Sequence, residues 1–508
     1  MLRPKLRALE SSSVQHRGEP MLMLRDPYGL TEQVALLPRL AVHVLSLCDG
    51  ERTVSEVASE FEARTGRAID PARIIDLVTQ LDAALLLDSP RFAAHRRELE
   101  ADFRRTPLRA AAHAGGSYPD RAAALTRYLD DQAVRDTGPG KRIKRAGRGP
   151  GAGAASSASA VRALISPHID MHRGGGAYAH AFRPLLEAPA SARPDVVVVF
   201  GTDHHGEHEP FTLTRKSYDT PLGAVPTDVA SVDRLAAALG PGLFAEELHH
   251  RREHSIEFQA VWLRHVYGAD CPPMLPILCG SLHELIARGA DPTQEPALER
   301  FIGALRDTLH GRRVLVIAGA DLAHVGPAFG DPHGLGSRER SALVRSDANA
   351  LAAAARGDSR GFFASIAAVG DRNRVCGLAP IYATFLGNRA TQARVVKELN
   401  LPPGSGLPGS VSAFGSEGGV LVQVTARAST PEAARDLADA GVRALITEVK
   451  TVESGGPLGG DPVPGVEPTV RLVQVETAYL PGAPFTPNLR MNLLMGLVGG
   501  LGLGYLLA

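Results

Sequence analysis

The sequence predicts an α/β fold with a mostly parallel central sheet flanked by helices, and three observations carry that expectation. Four apolar runs of strand length recur between residues 161 and 425: "VRALISPH", "DVVVVFGTDHH", "MLPILCG" and "RRVLVIAGADLAH". Helical patterns such as "EHSIEFQAVWLRHVYG" and "EPALERFIGALRDTLHG" lie between them, and strands alternating with helices build parallel sheets. The strand runs are continuously apolar, so both faces of the sheet must be covered. A chain of 508 residues is too long for one ordinary core, so further units are expected around this layer.

In chain order, residues 1–105 read as a small helical, winged-helix-like unit. "TEQVALLPRLAVHVLSL" is apolar on a helical period. "TVSEVASEFEARTG" opens with a capping box, Thr53 and Glu56, and stops at Gly66. Asp70 as N-cap and Pro71 at the first helical position start "ARIIDLVTQLDAALLL". The unit also resembles the small PqqD-like peptide-binding domains. Its segment Asp70–Gln80 is not strongly basic, which favours a peptide or protein partner over a specific nucleic acid. Residues 106–426 form the α/β unit, interrupted at 136–160 by a disordered Gly/Ala/Ser linker with a basic knot at Lys141, Arg142, Lys144, Arg145 and Arg148.

Residues 427–489 hold one helix, "PEAARDLADAGVRALITEV", and a Pro/Gly-rich spacer. The uncharged stretch Met491–Ala508, "MNLLMGLVGGLGLGYLLA", follows Arg490 in the segment 490–508 and is about 27 Å long as a helix, enough for a bilayer core. Gly496, Gly500 and Gly504 have the spacing that lets membrane helices associate. A transmembrane tail anchor with the bulk of the chain cytoplasmic, and self-association through that helix, are therefore expected. This C-terminal region is similar to the end of polysaccharide chain-length determinants. Lys+Arg and Asp+Glu both number 55, so charge gives no argument for nucleic acid. The four cysteines form no CxxC pair, so neither a disulfide framework nor a thiolate zinc knuckle is indicated, and a reducing compartment fits.

Three of the strands end in histidine with an aspartate close by. The first ends at His168, followed by Asp170 and His172, the second at Asp203-His204-His205, and the fourth at Asp321 and His324. Ligands of open α/β sheets bind at the carboxyl ends of the strands, so these imidazoles can converge. "RREHSIE" adds His254 and Glu257 at the start of a helix. Imidazoles with carboxylates suit Fe, Zn, Cu or Mn. No GxSxG-type nucleophile motif accompanies them, which favours metal ligation over metal-free acid/base chemistry.

"HAGGSYPD" (His113–Asp120), "ISPHIDMHRGG" (Ile165–Gly175), "GTDHH", "TPLGAVPTD" (Thr220–Asp228), "EHSIE" (Glu253–Glu257), "GADLAHVG" (Gly319–Gly326) and "VCGLAPI" (Val375–Ile381) resemble, in this order, the Memo family. Its bacterial and archaeal members are called AmmeMemoRadiSam system protein B. That family is similar in fold to the class III extradiol dioxygenases, which hold non-haem Fe(II) with two histidines and a carboxylate. The resemblance implies His168, His204 and Cys376 as metal ligands, Asp321 and His324 as an acid/base or ligand-orienting pair, and His254 and Glu257 on the helix lining the pocket. A thiolate in place of the carboxylate makes the site softer and favours Cu(I) or Zn more than a plain facial triad does. The expected function is a metal-dependent, possible redox or dioxygenase-like enzyme. The alternatives are a non-catalytic metalloprotein or peptide/protein-binding module of an AmmeMemoRadiSam-type system, and hydrolysis by zinc-bound water.

Overall fold

The computed structural model describes residues 2–140, 161–189, 192–206, 208–355, 357–387, 399, 409–415, 422–428 and 430–453. The N-terminal unit is a mixed helix–sheet unit, not a helical one. Strands β1 (Glu10–His16), β2 (Glu19–Arg25) and β3 (Val34–Pro38) form an antiparallel sheet in that order. Helices α1 (Ala41–Leu45), α2 (Val54–Thr65), α3 (Pro71–Ala83) and α4 (Pro90–Arg105) follow.

The apolar run expected as one helix over residues 31–47 is therefore split. Val34–Pro38 alternates between exposed and half-buried positions and pairs with β2, a ladder that a local window of sequence does not contain. Helix α2 has the expected capping box, with the Thr53 side chain accepting from Glu56 N–H and Glu56 reaching back to Thr53 N–H, and ends at Gly66 in the left-handed region. Asp70 caps α3 by accepting from Ala72 N–H, with Pro71 in the first turn. Leu24, Val44, Leu47, Val57, Phe61, Ile74, Val78, Leu81 and Leu86 give this unit its own core.

The α/β unit begins with β4 (Leu108–Arg109) and α5 (Ala122–Gln132). Of the linker at 136–160, residues 141–160 lie outside the described residues. Then come β5 (Ala163–Ser166), α6 (Met171–Glu187), β6 (Val196–Thr202), β7 (Phe211–Leu213), β8 (Ser217–Tyr218), α7 (Val229–Leu239), α8 (His254–Tyr267), β9 (Met274–Cys279), α9 (His283–Arg288), α10 (Pro296–Leu309), β10 (Val314–Gly319), α11 (Ser337–Ala355), α12 (Ser359–Ala367) and α13 (Leu378–Gly387).

The central sheet runs β5-β10-β6-β9-β7, parallel except for the edge strand β7. All four expected strands are in it. Strand β6 shows why its sequence is continuously apolar: Val196, Val198 and Phe200 enter the core cluster on one face, while Val197 and Val199 enter the cluster on the other. Because β5, β10 and β6 are neighbours, their carboxyl ends deliver His168, His204 and the Asp321–His324 loop to one place.

Beyond this unit, β11 (Gly409–Gly415) and β12 (Val422–Ala428) form an antiparallel hairpin, and α14 (Pro431–Glu453) is the expected C-terminal helix. The expected boundary at residue 426 falls inside β12. Among the described residues no helix is long and apolar enough to cross a membrane. The span expected at 490–508 lies outside the described residues.

Candidate metal centre

His168 follows β5 and is buried. Its ring Nδ1 lies 3.0 Å from the Gly319 carbonyl and its backbone N–H donates to Asp321 Oδ1 at 2.9 Å. A carbonyl only accepts, so Nδ1 carries a proton and Nε2 is the nitrogen turned to Cys376. His204, after β6, is fixed in the same sense. Its Nδ1 lies 3.0 Å from Glu253 Oε2, which also accepts from its backbone N–H at 3.3 Å. Burial works against charge on Glu253, yet the neighbouring His204 imidazole holds its carboxyl well below the usual range, and Glu253 in turn holds His204 well above the usual imidazole value.

Glu253 is also the N-cap of α8, its Oε1 accepting from Ser255 N–H at 2.9 Å. Its signal in the sequence is a carboxylate immediately before "HSIE", at the N-cap position.

Helix α8 brings His254 in beside the other two. The His254 ring stacks on His204 at 4.9 Å and 12°, and lies 5.2 Å from His168. One nitrogen from each of His168, His204 and His254 falls within 4.8 Å of the others. Burial pushes the His254 imidazole down to about 3, so it is neutral with a lone pair to offer. Two glycines admit this helix: a Cβ on Gly201 would strike Ser255 Oγ and Ile256, and one on Gly319 would strike the Ser255 carbonyl.

Cys376 comes from the loop before α13. Its Sγ lies 3.2 Å from His168 Nε2 and 3.9 Å from His324 Nε2. Burial alone would push the thiol up, but hydrogen bonds from His168, His204 and His324 bring it down to about 4. The loop is pinned to the strand ends by Thr202 Oγ1 donating to the Cys376 carbonyl at 3.2 Å and by Gly377 N–H donating to the Asp321 carbonyl at 2.9 Å. Cys376 thus lies beside His168, while the three ligand-type groups that lie within 4.8 Å of one another are His168, His204 and His254.

The expected roles of the remaining residues change in part. Asp321 does not orient His324, because its carboxylate holds His168 N–H, while His324 Nδ1 lies 3.0 Å from the Leu322 carbonyl. His324 is nonetheless beside the thiol, with Nε2 turned to it. Glu257 is not a pocket group. It is fully buried, and its two oxygens accept from Arg109, Tyr118 OH, and the N–H groups of Ala112 and His113. Arg109 in turn donates to the carbonyls of Ala110, His250 and Glu253. This knot ties the segment after β4 to α8. Asp170 caps α6, and His172 lies against Tyr128 at 3.2 Å, so neither joins the centre.

The donor chemistry fits a resident metal. Two imidazoles are oriented by hydrogen bonds on the far nitrogen, a third lies stacked beside them, and a thiol whose ionisation its imidazole neighbours favour lies beside His168. The Memo-like protein family model matches residues 109–401. A MEMO1 family protein of Aquifex aeolicus is 25% identical over 332 residues, covering 65% of this chain and 78% of its own. One from Thermus thermophilus is 28% identical over 281 residues, 55% of this chain and 74% of its own. One from Methanococcoides burtonii is 32% identical over 167 residues, 33% of this chain and 56% of its own. With more than half its length matched by the family model, and with the ordered motifs meeting at the ends of β5, β6 and β10, the chain belongs to the Memo-like protein family.

Proposed function

We propose that this chain is a metalloprotein whose centre is held by His168, His204 and Cys376, with His254 beside them, and that it works as a non-haem, redox or dioxygenase-like enzyme. The observation that carries the reading is the approach of Cys376 Sγ to within 3.2 Å of His168 Nε2. Those residues are drawn from loops 208 positions apart in sequence. The soft nitrogen–sulfur donor set favours Cu(I), Zn or Fe over Mg or Ca. When bound, such a metal would supply Lewis acidity or electron transfer to a small molecule at an open position.

The chain's own groups have distinct tasks in this reading. Glu253 and the Gly319 carbonyl orient the imidazoles, and Asp321 holds the His168 backbone. His324, with Nδ1–H on the Leu322 carbonyl and Nε2 beside the thiol, is placed to take or return a proton at Nε2. Protein purified without added metal should contain a metal by elemental analysis, and Cys376→Ser and His168→Ala should lose it. His324→Ala should keep the metal and lose any turnover. Loss of metal in that last variant would make His324 a ligand instead.

One observation favours a second reading, a peptide- or protein-binding module. Strand β3 is the edge of the N-terminal sheet, and Val34, Leu36, Leu40 and Val42 on and after it are exposed. An edge with unpaired backbone groups and apolar side chains suits an added strand from a peptide. Val34→Glu with Leu36→Lys should abolish capture of a peptide partner and leave the metal content unchanged.

A further inference from the structure

Strand β9 contributes no residue to the centre, yet its carboxyl end also leads to a histidine. Cys279 closes β9 in register with Thr202 of β6, and His283 begins α9 just beyond it. The half-exposed His283 ring has its Nδ1 2.5 Å from Asp371 Oδ2. A carboxylate only accepts, so Nδ1 is the donor. Asp371 belongs to the loop between α12 and α13, the same loop that carries Cys376. Neither His283 nor Asp371 lies in the motifs that carry the family resemblance.

Asp371 is the hub of that loop. Its buried carboxylate accepts at Oδ1 from Val375 N–H at 2.9 Å, one residue before Cys376. Its carbonyl accepts from Arg374 N–H at 2.8 Å, and its own N–H donates to the Ile366 carbonyl in α12 at 3.1 Å. Asp371 and Arg374 both have left-handed backbones, with φ of 45° and 52°. That region is costly for a residue with a Cβ and persists where the surroundings over-determine it, most often at functional sites. The bonds to Val375 and Arg374 are internal to the loop. The bond to His283 ties it to the end of β9, and among the described residues His283 is the side chain that pairs with Asp371.

The same few residues set His324. Its backbone N–H donates to the Asn373 carbonyl at 2.8 Å, and its own carbonyl accepts from Arg374 Nε at 2.7 Å. The loop therefore places two side chains at once, the Cys376 thiol and the His324 imidazole that faces it at 3.9 Å. The bonds of a bound ion tolerate errors of only about 0.2 Å. A small shift of this loop thus decides whether the sulfur is a ligand.

We propose that His283 and Asp371 are a latch on the loop of Cys376: two positioning residues that hold the sulfur in the metal's coordination sphere, acting through Val375 N–H without touching the metal. The inference rests on the metal centre proposed above. It brings the end of β9 into that centre, so that all four parallel strands of the sheet take part.

The test is a Co2+ titration of the full-length protein after chelation, since Co2+ accepts imidazole and thiolate alike. The near-ultraviolet sulfur-to-cobalt charge-transfer band reports the bond to Cys376, and the visible bands report Co2+ held by any donors. The wild type should show the charge-transfer band and Cys376→Ser should lose it. His283→Ala should bind Co2+ at least about tenfold more weakly, with a smaller charge-transfer band per bound ion. His283→Asn, which keeps an N–H donor near the place of Nδ1, should restore both. Asp371→Asn keeps the side-chain shape and should resemble His283→Ala, and circular dichroism confirms that each variant is folded. A wild-type band that folded His283→Ala and Asp371→Asn keep at wild-type affinity overturns the latch and leaves the proposed centre standing. Equal losses in His283→Ala and His283→Asn overturn it too, because the hydrogen bond to Asp371 is then not what positions the sulfur. A wild type that binds Co2+ without the band removes Cys376 as a ligand, and the latch falls with it.

Discussion

Replacing Glu257 by Gln separates a structural carboxylate from a catalytic one. Glu257 is fully buried and ion-paired to Arg109, itself fully buried. It accepts from four donors: Arg109, Tyr118 OH and the N–H groups of Ala112 and His113. An amide in its place removes the charge that offsets Arg109 and turns one acceptor into a donor. At the Oε1 position that donor would face the His113 N–H, and at the Oε2 position it would face Arg109 and the Ala112 N–H. Removing one partner of a buried pair costs about 3–5 kcal/mol. For a domain of this size that is a drop of roughly 6–15 °C in Tm. Thermal unfolding followed by circular dichroism reads the loss. Glu60→Gln, in the exposed helical pair with Arg64, should change stability by no more than about 0.5 kcal/mol and serves as control. The folded E257Q protein should still bind metal. A Tm within about 2 °C of wild type, or an unchanged Tm with lost metal or turnover, would refute the structural assignment.

Further outcomes follow from the same geometry. Thr53→Ala breaks the capping box of α2 and should cost about 1 kcal/mol in urea unfolding of the N-terminal unit. Gly377→Ala would drive a Cβ into the Asp321 carbonyl, with about 1–3 kcal/mol of strain. A competition titration should show weaker metal binding in that variant, because the Cys376 loop must shift. His250 is buried, with Nδ1 2.7 Å from Tyr218 OH and Nε2 3.0 Å from the Thr212 carbonyl, and burial pushes it down to about 4 from an ordinary 6.5. Its neutral form therefore contributes stability that is fully present above about pH 6.5 and is lost as pH falls towards 4, on the order of 3 kcal/mol. His250→Gln should be less stable at neutral pH and lose part of the acid dependence seen in the wild-type unfolding curve.

The parts of the site that were legible in the sequence are those fixed by local pattern. Continuous apolar runs marked β5, β6, β9 and β10, and their carboxyl ends put His168, His204 and Asp321–His324 on the same rim. Thr53, Asp70 and Gly66 announced helix ends because capping is a contact between near neighbours. What could not be read depends on distant partners. The run after Thr31 looks helical until β2 pairs with it. Glu257 looks like a pocket acid until Arg109, 148 residues earlier, is seen to occupy it. Cys376, in a loop of unremarkable composition, entered only through the family resemblance. Glu253 lay in view, but its hold on His204 needed the strand and the helix to be set side by side.

The central claim is that His168, His204 and Cys376 bind one metal together. The most direct measurement is metal affinity of the full-length protein, by chelator competition with Zn2+ and Cu(I), for wild type and Cys376→Ser. A loss of at least about tenfold on removing the thiolate, with the variant's fold unchanged by circular dichroism, is what the convergence of the three residues predicts. Equal affinity in wild type and Cys376→Ser would contradict it and leave the three histidines His168, His204 and His254 as the site.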